Sequence, residues 1–175
     1  MLLFNPRVIE KHVNTAPDLS DQQKAILDSW SEKLRQGVYD SETQNDSEFI
    51  QQILINVLGY KGPNTADVWT LAKNLPIGTG NVDVALGTFS SSETSVYAPF
   101  ELKGAKTKDL DTVMPGRNKS PVQQAWEYAI ELKGAKWVLV SNYRKLRLYA
   151  ASYGKKYYEE LDLEKTNHEA ERKRL

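Results

Sequence analysis

Two neighbouring stretches decide the fold: NVDVALGTF (Asn81–Phe89) and VYAPFELK (Val96–Lys103). In the first, Val82, Val84 and Leu86 alternate with Asp83 and Ala85, the period of two that marks a half-buried strand. The second is rich in β-branched and aromatic residues, and the polar Ser90-Ser91-Ser92-Glu93 between them reads as a hairpin connection. Upstream, Val68 to Leu71 adds a further strand after the turn-like Lys61-Gly62-Pro63-Asn64. Three consecutive strands are therefore expected.

Outward from this meander the period changes to that of helices. Phe49, Ile50, Ile53, Leu54, Val57 and Leu58 form an apolar face that ends at Gly59-Tyr60, so a buried helix is expected to start between Ser41 and Ser47. Before it, Ser20 is a natural N-cap for a helix with Ile26, Leu27, Trp30 and Leu34 on one side and Gly37 as its stop. Downstream, residues 104–120 carry Lys, Asp, Gly, Pro and Asn with little apolar content, which predicts a long mobile loop. Pro121 opens a helix over Val122–Lys133, closed by Gly134. Lys136–Ser141 and Leu146–Ala150 then pair across Asn142-Tyr143-Arg144-Lys145. The class is α/β: a mixed sheet flanked by helices, an αβββαβ core with an extra N-terminal helical region. The expected divisions are a helical extension over 1–40, the core over 41–158, and a charged tail over 159–175 that reads as frayed helix beginning a connector.

Composition narrows the chemistry. The chain has 175 residues, 19.9 kDa, and 23 basic against 23 acidic side chains, the size of one domain with no net charge. Apolar runs such as Trp137–Val140 fall far short of the ~20 residues of a membrane span. Without cysteine there is no disulfide, thiolate nucleophile or Cys-based zinc site, and the two histidines lie near opposite ends. A metal would have to be held mainly by oxygen. The N-terminus lacks a basic lead-in and a long apolar run, so a cytoplasmic protein is expected. Neutral charge also argues against a broad basic surface; nucleic acid is not the partner, is gripped locally, or is gripped by a segment outside this chain.

The strand pattern singles out three residues. Asp83 faces away from Val82 and Val84, while Glu101 and Lys103, two apart, share one face. If the strands pair as a hairpin, two carboxylates meet beside an ammonium, and their repulsion is relieved by a divalent cation. Mg²⁺ suits such a pair, being held by one or two protein carboxylates with water and phosphate completing its shell. Taken alone, Glu-x-Lys on a strand is a common solvated charge pair. Gln124 and Tyr128, four apart on the predicted helix, add a polar pair able to meet phosphate or a base edge. The basic residues of the long loop, Lys106, Lys108, Arg117 and Lys119, could reach a phosphate backbone or merely be solvated. Trp126 and Trp137 lie on apolar patterns and belong to the core.

Asp83, then Glu101-Leu102-Lys103, then Gln124-x-x-x-Tyr128 in this strand, strand, helix order resembles the PD-(D/E)xK nuclease superfamily and its RecB-like branch with the Gln-x-x-x-Tyr motif. The proline that names the motif is missing, since Asn81-Val82 precedes the acid. Blocks at Ser41–Gln44, Leu58–Tyr60, Asn81–Gly87, Phe100–Gly104, Pro121–Ala125 and Trp137–Tyr149 look like the N-terminal cleavage domain of Type IIG restriction-modification enzymes, with relatives in Type I motor subunits. The likeness covers residues 40–150. It implies a restriction-endonuclease-like core and a site-specific deoxyribonuclease cutting double-stranded DNA with Mg²⁺, for which Mn²⁺ can substitute. In that reading Asp83 and Glu101 hold the metal, Lys103 assists the attacking water, and Gln124 and Tyr128 support the site or contact phosphate. A glutamate of the first core helix also takes part: Glu42 is favoured and Glu48 competes. Six residues apart on a helix of ~3.6 residues per turn, those two point about 120° apart, so at most one faces the site. The resemblance further implies a methyltransferase and a target-recognition domain as partners in a longer protein, and a transient dimer for cutting both strands. Two rivals stand beside it: a non-catalytic nucleic-acid-binding or docking module of the same fold, and a repair-type deoxyribonuclease preferring ends or single strands.

Overall fold

Ser20 and Ser120 start helices for the same local reason: each side chain accepts from the main-chain N–H three residues on, and Gln23 or Gln123 returns the bond to the cap. The computed structural model of the protein describes residues 1–40, 42–63 and 67–175, with the main chain alone at 42–44. Its helices are α1 (Pro6–Thr15), α2 (Asp21–Arg35), α3 (Glu42–Phe49), continued by a π-helical stretch (Ile50–Val57), α4 (Pro121–Glu131) and the short α5 (Glu169–Arg172). Its strands are β1 (Trp69–Ile77), β2 (Gly80–Phe89), β3 (Thr94–Leu102), β4 (Trp137–Ser141), β5 (Lys145–Ala150) and β6 (Tyr158–Asp162). The six lie in chain order in one open mixed sheet. All neighbours are antiparallel except β3 and β4, which run parallel because α4 carries the chain back between them.

Helices cover both faces. Leu27, Trp30 and Leu34 of α2 and Phe49, Ile53 and Leu54 pack over Val84, Leu86, Phe100 and Leu102 in the main core. Residues 1–40 are therefore not a mere appendage, since α2 supplies part of that core. Beneath the opposite face, Val122, Ala125 and Trp126 of α4 meet Val138, Val140 and Tyr149. Trp126 is buried as expected, whereas Trp137 is half-buried at the margin of the main core.

Three local features depart from the expectation. The apolar pairs 49/50, 53/54 and 57/58 repeat every four residues, outrunning a ~3.6-residue turn, and the chain answers by widening to π geometry from Ile50 onward. The loop over 104–120 is as long as predicted but firmly tied: Ala105 and Leu110 are buried, and Asn142 donates to the Thr107 carbonyl at 2.6 Å. The charged tail begins as a strand, not as frayed helix. Lys145 and Arg147 of β5 face Asp162 and Glu160 of β6, with ion pairs of 2.8 and 2.7 Å, so the charge density is a cross-strand ladder. The sheet thus runs on past residue 158. Among the described residues, no helix is long and apolar enough to cross a membrane.

Candidate functional site

Strand register brings the predicted acids together. β2 and β3 pair with Val84 opposite Phe100, and one step further along the same ladder Asp83 stands opposite Glu101 on the same face. That face is turned toward α4, because Phe100 and Leu102, alternating with Glu101, enter the core beneath α2 and α3. The strand ends here. Asp83 Oδ2 accepts the Leu102 N–H at 2.7 Å, in place of a further rung of the β2–β3 ladder, and Lys103 donates its own N–H to the Ser141 carbonyl at 2.8 Å.

Glu101 and Lys103 are 0% and 1% exposed. The Lys103 ammonium donates to Glu101 Oε1 at 2.5 Å and to the Leu102 carbonyl at 2.8 Å. Glu101 Oε2 is also buried and has no hydrogen-bond partner among the described residues. An ionised oxygen in that position is costly unless a cation or donor meets it. Burial, and next the Asp83 charge, push the Glu101 carboxyl up to about 7 against the opposing pull of Lys103 and Arg117. The two acids therefore feel each other, and the strain is of the kind that a divalent ion relieves.

The donor set fits Mg²⁺. It consists of hard oxygens from Asp83 and Glu101, one of them an orphaned buried oxygen. Among the described residues there is no cluster of three or more His, Cys, Asp or Glu side chains able to hold a metal, so water or substrate oxygens would complete the shell.

The first-helix glutamates separate. The Glu42 side chain lies outside the described residues; its main chain opens α3, and just before it Tyr39 O accepts the Ala105 N–H at 3.0 Å, beside the end of β3. Glu48 turns toward α2, where its carboxylate takes the Lys33 ammonium at 2.8 Å and the Tyr39 hydroxyl at 2.7 Å. Burial pushes Glu48 up, but those two bonds outweigh it and hold the carboxyl below its ordinary range. These bonds tie α3 to α2 and to the turn that follows α2.

Gln124 and Tyr128 share one half-buried flank of α4, as their four-residue spacing predicts. The Tyr128 hydroxyl donates to the Asn81 carbonyl at 2.9 Å, pinning α4 to the strand that carries Asp83. Gln124 Oε1 accepts from Arg117 Nη1 at 3.2 Å. With Thr79, Gly80 and Lys119 these residues line a groove of about 310 Å³. A wider cavity of about 830 Å³ lies between α1 and α5, away from the acids.

Two residues at the end of β4 and in the turn after it were not singled out by the sequence. Tyr143, fully buried with φ of 65°, donates its hydroxyl to Asp46 and packs against Trp30, Tyr39 and Phe49. Ser141 receives the Lys103 N–H and so fixes the strand end. Only the apolar setting of Asn142-Tyr143 hinted at either. Comparison with protein-family models, with curated proteins and with solved structures finds no match.

Proposed function

We propose that the protein is a Mg²⁺-dependent DNA endonuclease domain with a restriction-endonuclease-like core, of the kind found in restriction-modification enzymes. The observation that carries this reading is the buried Glu101 oxygen without a partner, beside Asp83 and the Lys103 ammonium. Asp83 and Glu101 would hold the ion; when bound it polarises a phosphodiester oxygen and acidifies a water. Lys103 sets a positive charge within reach of the reacting phosphate and holds Glu101 Oε1 in place through its 2.5 Å bond. Asp83 fixes the Leu102 main chain, so the acid and the strand end that bears Glu101 and Lys103 move as one unit. The π-helix and α2 on one side and α4 on the other keep that end rigid.

Double-stranded DNA is the proposed substrate. Target choice falls to a recognition domain and a methyltransferase acting with it, and a transient dimer would break both strands. The non-catalytic alternative is disfavoured by the intact acid, acid, lysine set. The repair-type alternative predicts a preference for linear over circular DNA. Supercoiled plasmid incubated with the purified chain and Mg²⁺ should be nicked, and chelation, Glu101→Ala or Lys103→Ala should lower the rate at least a hundredfold. Nicking indifferent to all three would remove the proposal.

A further inference from the structure

The groove between α4 and the start of β2, whose lining includes Glu127 and Glu131, contains an arginine that forms no ion pair among the described residues. Arg35, Arg144, Arg147, Arg172 and Arg174 are each ion-paired with a carboxylate. Arg7 and Arg117 have no ion pair among the described residues, and only Arg117 lines this groove, where its partner is the neutral Gln124 amide oxygen, 3.2 Å from Nη1. A neutral acceptor orients a guanidinium without cancelling its charge and uses one of five N–H donors.

The turn that presents Arg117 is built for it. Gly116 and Asn118, on either side, have φ of 78° and 53°, and only residues tolerant of that left-handed region serve there. The turn is closed by Arg117 N–H to the Met114 carbonyl at 3.2 Å and Met114 N–H to the Lys119 carbonyl at 3.1 Å. Lys119 in the same groove is already committed to Glu127 at 2.5 Å, which also neutralises that acid. The α4 N-terminus offers no substitute anion site, since its first N–H groups go to Leu110, Ser120 Oγ and the Ser120 carbonyl. Arg117 is thus the uncommitted cation of the groove, and its field reaches Glu101, whose carboxyl it pulls down.

We infer that Arg117, aimed by Gln124, binds a backbone phosphate of duplex DNA in the groove between α4 and the start of β2, next to the phosphate being cleaved. The inference rests on the nuclease reading of Asp83, Glu101 and Lys103. It gives Gln124 a positioning role and separates Arg117 from Lys106 and Lys108, which are exposed outside this groove.

The test is binding of a fluorescent duplex oligonucleotide to the full chain carrying Glu101→Gln, without metal, over a range of salt. Adding Arg117→Ala should weaken binding about tenfold and reduce the slope of log affinity against log salt by about one, the signature of one lost phosphate contact. Arg117→Lys should restore the slope, and Gln124→Ala should weaken binding with the slope nearly kept. Inorganic phosphate at matched ionic strength should not displace the duplex. Unchanged affinity and slope in Arg117→Ala, weakening without a change of slope, displacement by free phosphate, or no binding by the parent would each overturn the inference. None of these readouts needs cleavage. Failure of the nuclease reading would appear separately, as metal-independent or absent nicking.

Discussion

Glu101 and Glu48 are two buried-side glutamates with opposite electrostatics, and pH separates them. The Glu101 carboxyl is raised from 4.5 to about 7, so the folded state binds its proton more tightly than the unfolded chain. Its contribution to stability is fully present below the unfolded value and is lost as pH rises through about 7. The metal-free protein should therefore melt at a lower temperature at pH 8 than at pH 5.5 on this account, and Glu101→Gln should flatten that part of the profile. An unchanged profile in the variant would show that the carboxyl does not titrate there. Glu48 is lowered, so its contribution is present at neutral pH and fades on acidification. Glu48→Ala leaves the buried Tyr39 hydroxyl without its acceptor and should cost about 1–3 kcal/mol, with nicking unaffected. A loss of nicking equal to that of Glu101→Ala would return Glu48 to the site. The acids themselves were legible in the sequence because alternation fixes which way a strand residue points. The partners of Glu48 were not, because they depend on where α2 docks.

Elements were legible where their period was clean. β2, β3 and α4 begin and end within two residues of the expected positions, since alternation, capping serines and Gly or Pro stops all agree there. β1 ends six residues beyond its apolar signal, running through Lys73 and Asn74, because pairing with β2 holds residues that propensity would release. β6 was missed because its ladder is made of charges that find their partners only across the sheet. Gly87 shows a constraint invisible in one dimension: it sits at the β2–β3 register shift, where an added Cβ would lie 2.0 Å from the Ser95 carbonyl oxygen. Gly87→Ala must push the strands apart and should cost about 1–3 kcal/mol, seen as a drop in melting temperature of several degrees. Wild-type stability in that variant would mean the bulge can relax freely.

At the scale of the whole molecule, one sheet carries two burial patterns and one chemical end. Its α2 side is closed by aromatic packing of Trp30, Tyr39, Phe49 and Tyr143, which anchors the chain on both sides of the strand ends. Its α4 side keeps Asp83, Glu101 and Lys103 together where β2 and β3 part, with the Arg117 groove alongside. Lys145 and Arg147 spend their charge on cross-strand pairs with Asp162 and Glu160. The fold class and the meeting of the acids could be read from pattern alone. The tying down of the long loop could not, because it rests on contacts with Tyr39 and Asn142 far away in sequence.

Mn²⁺ binding followed by electron paramagnetic resonance, on the wild-type chain and on Glu101→Gln, addresses the ion that those acids are proposed to share. The wild type should take up Mn²⁺ in competition with Mg²⁺, and Glu101→Gln, which keeps the shape but removes the charge, should bind at least tenfold more weakly. Equal uptake by both proteins, or none by either, would contradict the account.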